Sequence, residues 1–325
     1  MSMRRLTTHA VIAVAVAALA AGAAAGSGQQ GRQESKGYPS VPRSRLKGSI
    51  AYSKGGAIWV MRADGTGRRQ ITHPHGGEDF DPSFSPDGKR IVFRTSRGHY
   101  VPDTSGSGAE GIFVVDVRTG RETEIEPKLG GLFPVWSPTA DEIALTARRA
   151  TKESLIIVRP DGSLVRDLQV PTSAAEASVW SPDGRSIAYA GHDGDGNWAV
   201  WVAGADGSNA RQLTFPTLVE PRGSAGESPE AWSPDGRRIL YGSAQPSHHG
   251  LYTIPPSGVG APRKVTGLAM SAPAWLPDGH IVVARFKGNA AYPTWLEMGA
   301  GGRNIRSLPS LGHLGDPIDW WWPRH

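Results

Sequence analysis

The residues best suited to chemistry in this 325-residue chain are histidines and carboxylates gathered in two short stretches. In HPHGGEDFD, His73 and His75 stand two apart and share one side of an extended chain, and Glu78, Asp79 and Asp81 follow with carboxylates. Joined by His192, His248 or His313, this set has the imidazole and carboxylate ligands that a divalent transition metal takes. A metal held there would polarise a substrate carboxylate or carbonyl. In GHDGDGNW, Gly191 to Trp198, the oxygens of Asp193, Asp195 and Asn197 alternate as the donors of a calcium loop do. It is not an EF-hand, because Trp198 stands where that loop needs Gly and no Glu follows at its twelfth place. The competing reading of both stretches is a solvated loop whose Asp and Asn bond their own backbone. His248 and His249 are neighbours and point apart on an extended chain, so at most one can face a common centre. No cofactor is expected as a requirement, and Ca²⁺ or a transition metal is the optional one.

Other chemistries lack their residues. There is no cysteine, no Gly-x-Ser-x-Gly elbow, no Walker loop and no dinucleotide fingerprint. No catalytic residue is therefore assigned. Asp87, Asp183, Asp235 and Asp278 recur like a carboxylate ring, but each lies in a Pro-Asp-Gly turn and reads as a turn former.

These turns belong to a repeat that must position everything else. It runs FSPDGKRIVF from Phe84, WSPTADEIAL from Trp136, WSPDGRSIAY from Trp180, WSPDGRRILY from Trp232 and WLPDGHIVVA from Trp275. Pro182 presets the first corner of a type I turn, and Gly184 takes the positive φ that sends the chain back antiparallel. A second half-phrase follows each first one: an apolar strand, a Gly-containing turn and another strand, as in VWVAGADGSNARQLT from Val200. Six second halves meet only five first halves. GSIAYS, Gly48 to Ser53, lacks an opening aromatic strand, and DPIDWWWP, Asp316 to Pro323, supplies one at the far end, with Trp320 in the aromatic place. Four strands per unit, six units and a unit sewn from both termini predict an all-β chain, a closed six-bladed β-propeller over 48–325. Pairing of the C-terminal strand with the N-terminal blade removes the open edges of a linear array.

The W-S-P-D-G turns resemble those of the TolB-type, WD40-like (PD40) propeller family over nearly the whole of this span. That resemblance implies the fold and, as an expectation, a protein or short peptide bound at the channel mouth. The family's N-terminal α/β domain has no counterpart in the stretch before residue 48.

Residues 1–25 read as a secretory signal, with Arg4 and Arg5 before an Ala-rich apolar run and Ala23-Ala24-Ala25 as the cleavage site. Residues 26–47 read as a flexible tether. The expected product is exported to the periplasm or envelope, or secreted, and is a monomer with no stable membrane span after cleavage. The formal charge of +5 falls to +3 without Arg4 and Arg5, and no basic cluster interleaved with aromatics occurs, so nucleic acid is not an expected partner.

Strand order places the Ser-Pro-Asp-Gly turns on one face of the ring and the longer loops on the other. The long insertions Ser96 to Gly111 and Phe215 to Glu230, and seven histidines, His73, His75, His99, His192, His248, His249 and His313, fall on the loop-rich face. The expected pocket is there, lined by His73, His75, Glu78, Asp79, Asp81, His192, His248 and His313. The repeated tryptophans read as packing residues rather than a binding platform. The function so expected is a secreted or envelope-associated noncatalytic scaffold, with a metal-dependent lyase or lactone-cleaving enzyme as the alternative.

Overall fold

The computed structural model describes residues 38–97, 111–125, 131–149, 152–170, 175–216, 226–246, 248–267, 271–286, 293–312, 314 and 318–322. Its strands form six four-stranded antiparallel sheets arranged as the blades of a propeller. Blade 1 is sewn from both ends of the chain: Ile318–Trp321 pairs with Ser49–Lys54, which continues into Ala57–Arg62 and Arg69–Gln70. In that pairing Trp320 lies opposite Ile50, as Trp180 lies opposite Ile187 in blade 4. The inferred closure is thus the observed one.

The first strands of the other blades are Asp79–Phe84, Gly131–Trp136, Ala175–Trp180, Glu227–Trp232 and Ser271–Trp275. They contact one another around the ring and so surround its axis. Each carries a bulge, and in four of them one residue there takes a left-handed backbone: Asp81, Phe133, Ala177 and Ala272, with φ between 46° and 52°. The bulge lets a strand twist steeply where five others crowd it.

The turn after each first strand is a hydrogen-bonded clasp. In blade 4 the Gly184 amide donates to the Ser181 carbonyl at 2.8 Å with φ 69° at Gly184, and the Ser181 hydroxyl donates to Asp183 at 2.6 Å. Asp183 also accepts the Arg185 amide, and the Ser181 oxygen accepts that of Ser186. Ser85 with Asp87 and Ser233 with Asp235 repeat the arrangement. The serine hydroxyl and the Arg185 amide hold the Asp183 carboxyl below the usual carboxylate range, as a purely structural role requires.

The core is divided among the blade interfaces. Each of six apolar clusters joins two neighbouring blades: Ile187 and Tyr189 of blade 4 pack on Leu155 and Ile157 of blade 3, whereas Val200 and Val202 face Ile239 and Tyr241 of blade 5. The alternating strand pattern supplies both faces at once.

One expectation is corrected. Within the tether inferred for residues 26–47, the described part from residue 38 onward is packed. The Val41 amide donates to the Ser307 carbonyl on the outer edge of blade 6 and the Ser307 amide donates to the Pro39 carbonyl, and Val41 and Leu46 are buried in the cluster joining blades 6 and 1. Arg45 bonds Glu297 at 2.8 Å and Asp278 at 2.7 Å, both on blade 6. Burial of two apolar side chains and a fully enclosed Glu297 makes this segment a strap across the closure. The inferred signal, residues 1–25, lies outside the described residues.

Candidate functional site

On the loop-rich face the structure disperses most of the residues selected from the sequence. His73, His75 and Glu78 are exposed on the crossover between blades 1 and 2. Asp79 opens the first strand of blade 2 and is wholly buried, but its charge is already matched. Arg97 grips both its oxygens at 2.8 and 2.6 Å and extends to Glu122 at 2.9 Å, and Thr72 donates at 2.6 Å. Such a bidentate fork is the strongest form of the pair. Asp81 lies 2.7 Å from the Arg94 guanidinium, close but not aligned as a hydrogen bond, and burial raises its carboxyl against that pull. Arg94 also sits over the rings of Phe80 and Phe133 at 5.2 and 5.5 Å. Both carboxylates are thus engaged by arginines.

The second stretch is a self-contained turn. Asp193 Oδ1 accepts the amides of Asp195 and Asn197 at 2.9 and 2.8 Å, and Asn197 adds its side-chain amide. This is the local bonding of an Asx-type turn. His192 packs on Trp198 of its own hairpin at 4.1 Å, and burial lowers its pKa. His248 lies by Tyr252 in blade 5, His75 lies before blade 2, and His99 and His313 are outside the described residues. Among the described residues no group of three or more His, Asp or Glu side chains converges as a metal site would require. The expected set His75, His192, His248, Asp193, Asp195 and Asn197 is spread over three separate places.

One loop-face residue was missed. Glu227 holds in blade 5 the place of Asp79 in blade 2: Glu227 pairs with Ser243 as Asp79 pairs with Thr95. Gln245 stands where blade 2 has Arg97, two residues beyond the paired position. Burial pushes the Glu227 carboxyl up, while Thr214, Ser243 and His248 act in the opposite direction. Alignment of the first residue of each opening strand exposes this exchange.

The opposite face holds a cavity that the loop-length argument did not foresee. A hollow of about 590 Å³ opens among the Ser-Pro-Asp-Gly turns and draws residues from all six blades. Its wall is formed by the repeated aromatics, including Trp136, Trp180, Trp232, Trp275 and Trp320, with the turn prolines between them. Two indoles are pinned to the preceding blade: Trp180 donates to the Val135 carbonyl at 3.2 Å and Trp232 to that of Val179 at 3.1 Å. Trp321 donates to the Pro86 carbonyl, and Trp320 stacks on Trp322 at 5.6 Å. The residue before each aromatic faces the axis, and five of those six line the hollow: Ser83, Val135, Val179, Ala231 and Asp319. Among the described residues Asp319 is the single ionisable group in the lining. Its Oδ2 accepts the Phe84 amide at 2.7 Å, yet burial still lifts its pKa to about 6, with the amides of Phe84 and Trp320 pulling the other way. The tryptophans therefore pack the ring and line a rigid, mostly apolar funnel, so packing and platform are not exclusive readings.

With the ring and its turns described, the relationship to known proteins is direct. The model of the TolB beta propeller domain matches residues 99–317, about two thirds of the chain. The chain belongs to this family. The Tol-Pal system protein TolB of Gluconobacter oxydans is 32% identical over 215 residues, covering 52% of this chain and 45% of that protein. The chain thus spans about half the length of that curated relative. The crystal structure of TolB from Acinetobacter baumannii superposes with a TM-score of 0.62 at 18% identity, over 80% of this chain and 63% of that one. An oligogalacturonate lyase in complex with manganese superposes with a TM-score of 0.56 at 15% identity, over 81% of this chain and 76% of that one. At such identities the two structures share the fold, and the fold hosts both binding proteins and enzymes. For this TolB-type propeller the choice rests on its own funnel and loops.

Proposed function

We propose that this chain is a noncatalytic, exported or envelope-associated scaffold that binds a protein or short peptide, and that the contact surface is the tryptophan-proline funnel. The observation that carries the reading is the funnel itself: a hollow of about 590 Å³ walled by rigid aromatic and proline side chains from every blade, with one carboxylate. Apolar hollows with few convergent polar groups are the usual form of ligand sites, and pinned aromatics give contact area at small entropic cost. Export is supported by the signal-like residues 1–25 and by relatives named as Tol-Pal system components. Among the described residues no helix is long and apolar enough to cross a membrane. The metal-enzyme reading lacks the convergence of ligands that it needs among the described residues.

The test is selection of binders from a random peptide phage library on the immobilised purified chain, followed by titration of the selected peptides. Trp232→Ala and Trp275→Ala should each weaken binding by about tenfold or more, the cost of about 1.4 kcal/mol or greater typical of aromatic anchors. His75→Ala and His248→Ala should leave it within about twofold. The reverse pattern would move the site to the loop-rich face.

A further inference from the structure

We infer that the funnel receives a basic side chain, lysine or arginine, presented by an extended peptide segment. This rests on the reading of the funnel as a peptide site and names what that site prefers. Its wall is apolar and aromatic, which suits the methylene stem of a long side chain and the face-on approach of a cation to indole. At the axis stands Asp319, the single ionisable group among the described residues of the lining.

The placement of Asp319 is specific. The equivalent residues of blades 3, 4, 5 and 6 are Val135, Val179, Ala231 and Ala274, and that of blade 2 is Ser83. The Ser83 hydroxyl receives the Trp136 amide at 3.1 Å, so a neutral side chain suffices to brace the neighbouring blade at this position. A carboxylate does the same bracing to Phe84 and adds a desolvated negative charge that the described residues of the wall leave without a cationic partner. Asp79, Asp81 and Glu297 in this chain each have an arginine within 2.8 Å, and among the described residues the lining of the funnel contains none. A partner's ammonium or guanidinium supplies the missing counter-charge in a setting where water screens it weakly.

Capped peptides acetyl-Gly-X-Gly-amide, with X as lysine, arginine, norleucine, tryptophan or glutamate, test this by intrinsic tryptophan fluorescence and calorimetry on the full chain. Lysine and arginine peptides should bind about tenfold tighter than norleucine, and glutamate weakest. Asp319→Asn keeps an oxygen for the Phe84 amide and should bring lysine and norleucine within about twofold. Should that variant not fold, the unaltered chain still decides: its lysine preference must shrink as pH falls from 7 to 5, while norleucine binding stays level. Equal binding of lysine and norleucine, or a preference that survives Asp319→Asn, overturns the inference but leaves a peptide site. Absence of binding by all five peptides, with Trp232→Ala also without effect on the phage-selected ligands, removes the peptide site as well.

Discussion

The Asp319 carboxylate and the Phe84 amide meet at 2.7 Å and join the last strand of the chain to the first strand of blade 2. Pairing to Ser49–Lys54 holds that last strand on one side, and this bond fixes it on the other. Ring closure and the charged point of the funnel are therefore the same residue.

Burial at this joint gives stability a pH dependence. Asp319 moves from 3.8 when free to about 6 in the fold, so between those values the native state holds a proton that the unfolded chain has released. Stability consequently falls as pH rises from about 4 to about 6, by at most about 1.4 kcal/mol per unit, and levels off above. Asp319→Asn should remove that component, visible as a difference between the two urea-denaturation profiles over this window. Parallel profiles would contradict the burial of the carboxylate.

Arg97 neutralises a wholly buried Asp79 and also holds Glu122. Arg97→Ala leaves an uncompensated interior charge and should cost about 3–5 kcal/mol. Arg97→Lys retains charge without the two-pronged grip, and an intermediate loss is expected. Equilibrium urea unfolding measures both, and the order unaltered, lysine, alanine is the result to look for.

At the strap, Arg45 is about 29% exposed but its partner Glu297 is fully enclosed. Arg45→Ala should lower stability by about 3 kcal/mol, and Glu297→Gln in the same chain should recover part of it because the stranded charge is gone. Loss of the strap also frees Val41 and Leu46, so limited proteolysis should cut before residue 48 sooner in the variant. Unchanged melting and cutting would show that the blade 6 to blade 1 seam is held by the C-terminal strand alone.

The turn from Asp193 to Asn197 is organised by its own backbone. Asp193→Ala should therefore cost about 1 kcal/mol, as removal of a local cap does, whether or not calcium is added. A melting temperature that rises with calcium in the unaltered chain and not in the variant would restore the calcium-loop reading.

The fold was legible because its determinants are local and repeated. Pro182, Asp183 and Gly184 encode a turn wherever they stand, and the unpaired GSIAYS strand calls for a partner that DPIDWWWP alone can supply. The site was less legible because it depends on the axis of the ring. Loop length shows where chain accumulates, not where six inner strands leave space, so the expectation pointed to the face opposite the hollow that the described residues form. Trp232 was readable as a packing residue from its repeat, but its second role needs the facing blades. Asp79 and Arg97 are 18 residues apart, and the sequence offered no sign that they would neutralise each other. Asp319 was overlooked because its five counterparts in the repeat are not charged.

The central claim, that the partner enters through the tryptophan-proline face, is open to one direct measurement because the chain has no cysteine of its own. Single cysteines at Pro234 or Pro277, on the rim of the funnel, and at His75 or Asp195, exposed on the opposite face, can each carry a bulky maleimide label. Labels at 234 and 277 should abolish binding of the phage-selected peptides, and labels at 75 and 195 should leave their affinity unchanged. Blocking at 75 or 195 with full binding at 234 and 277 would contradict the account.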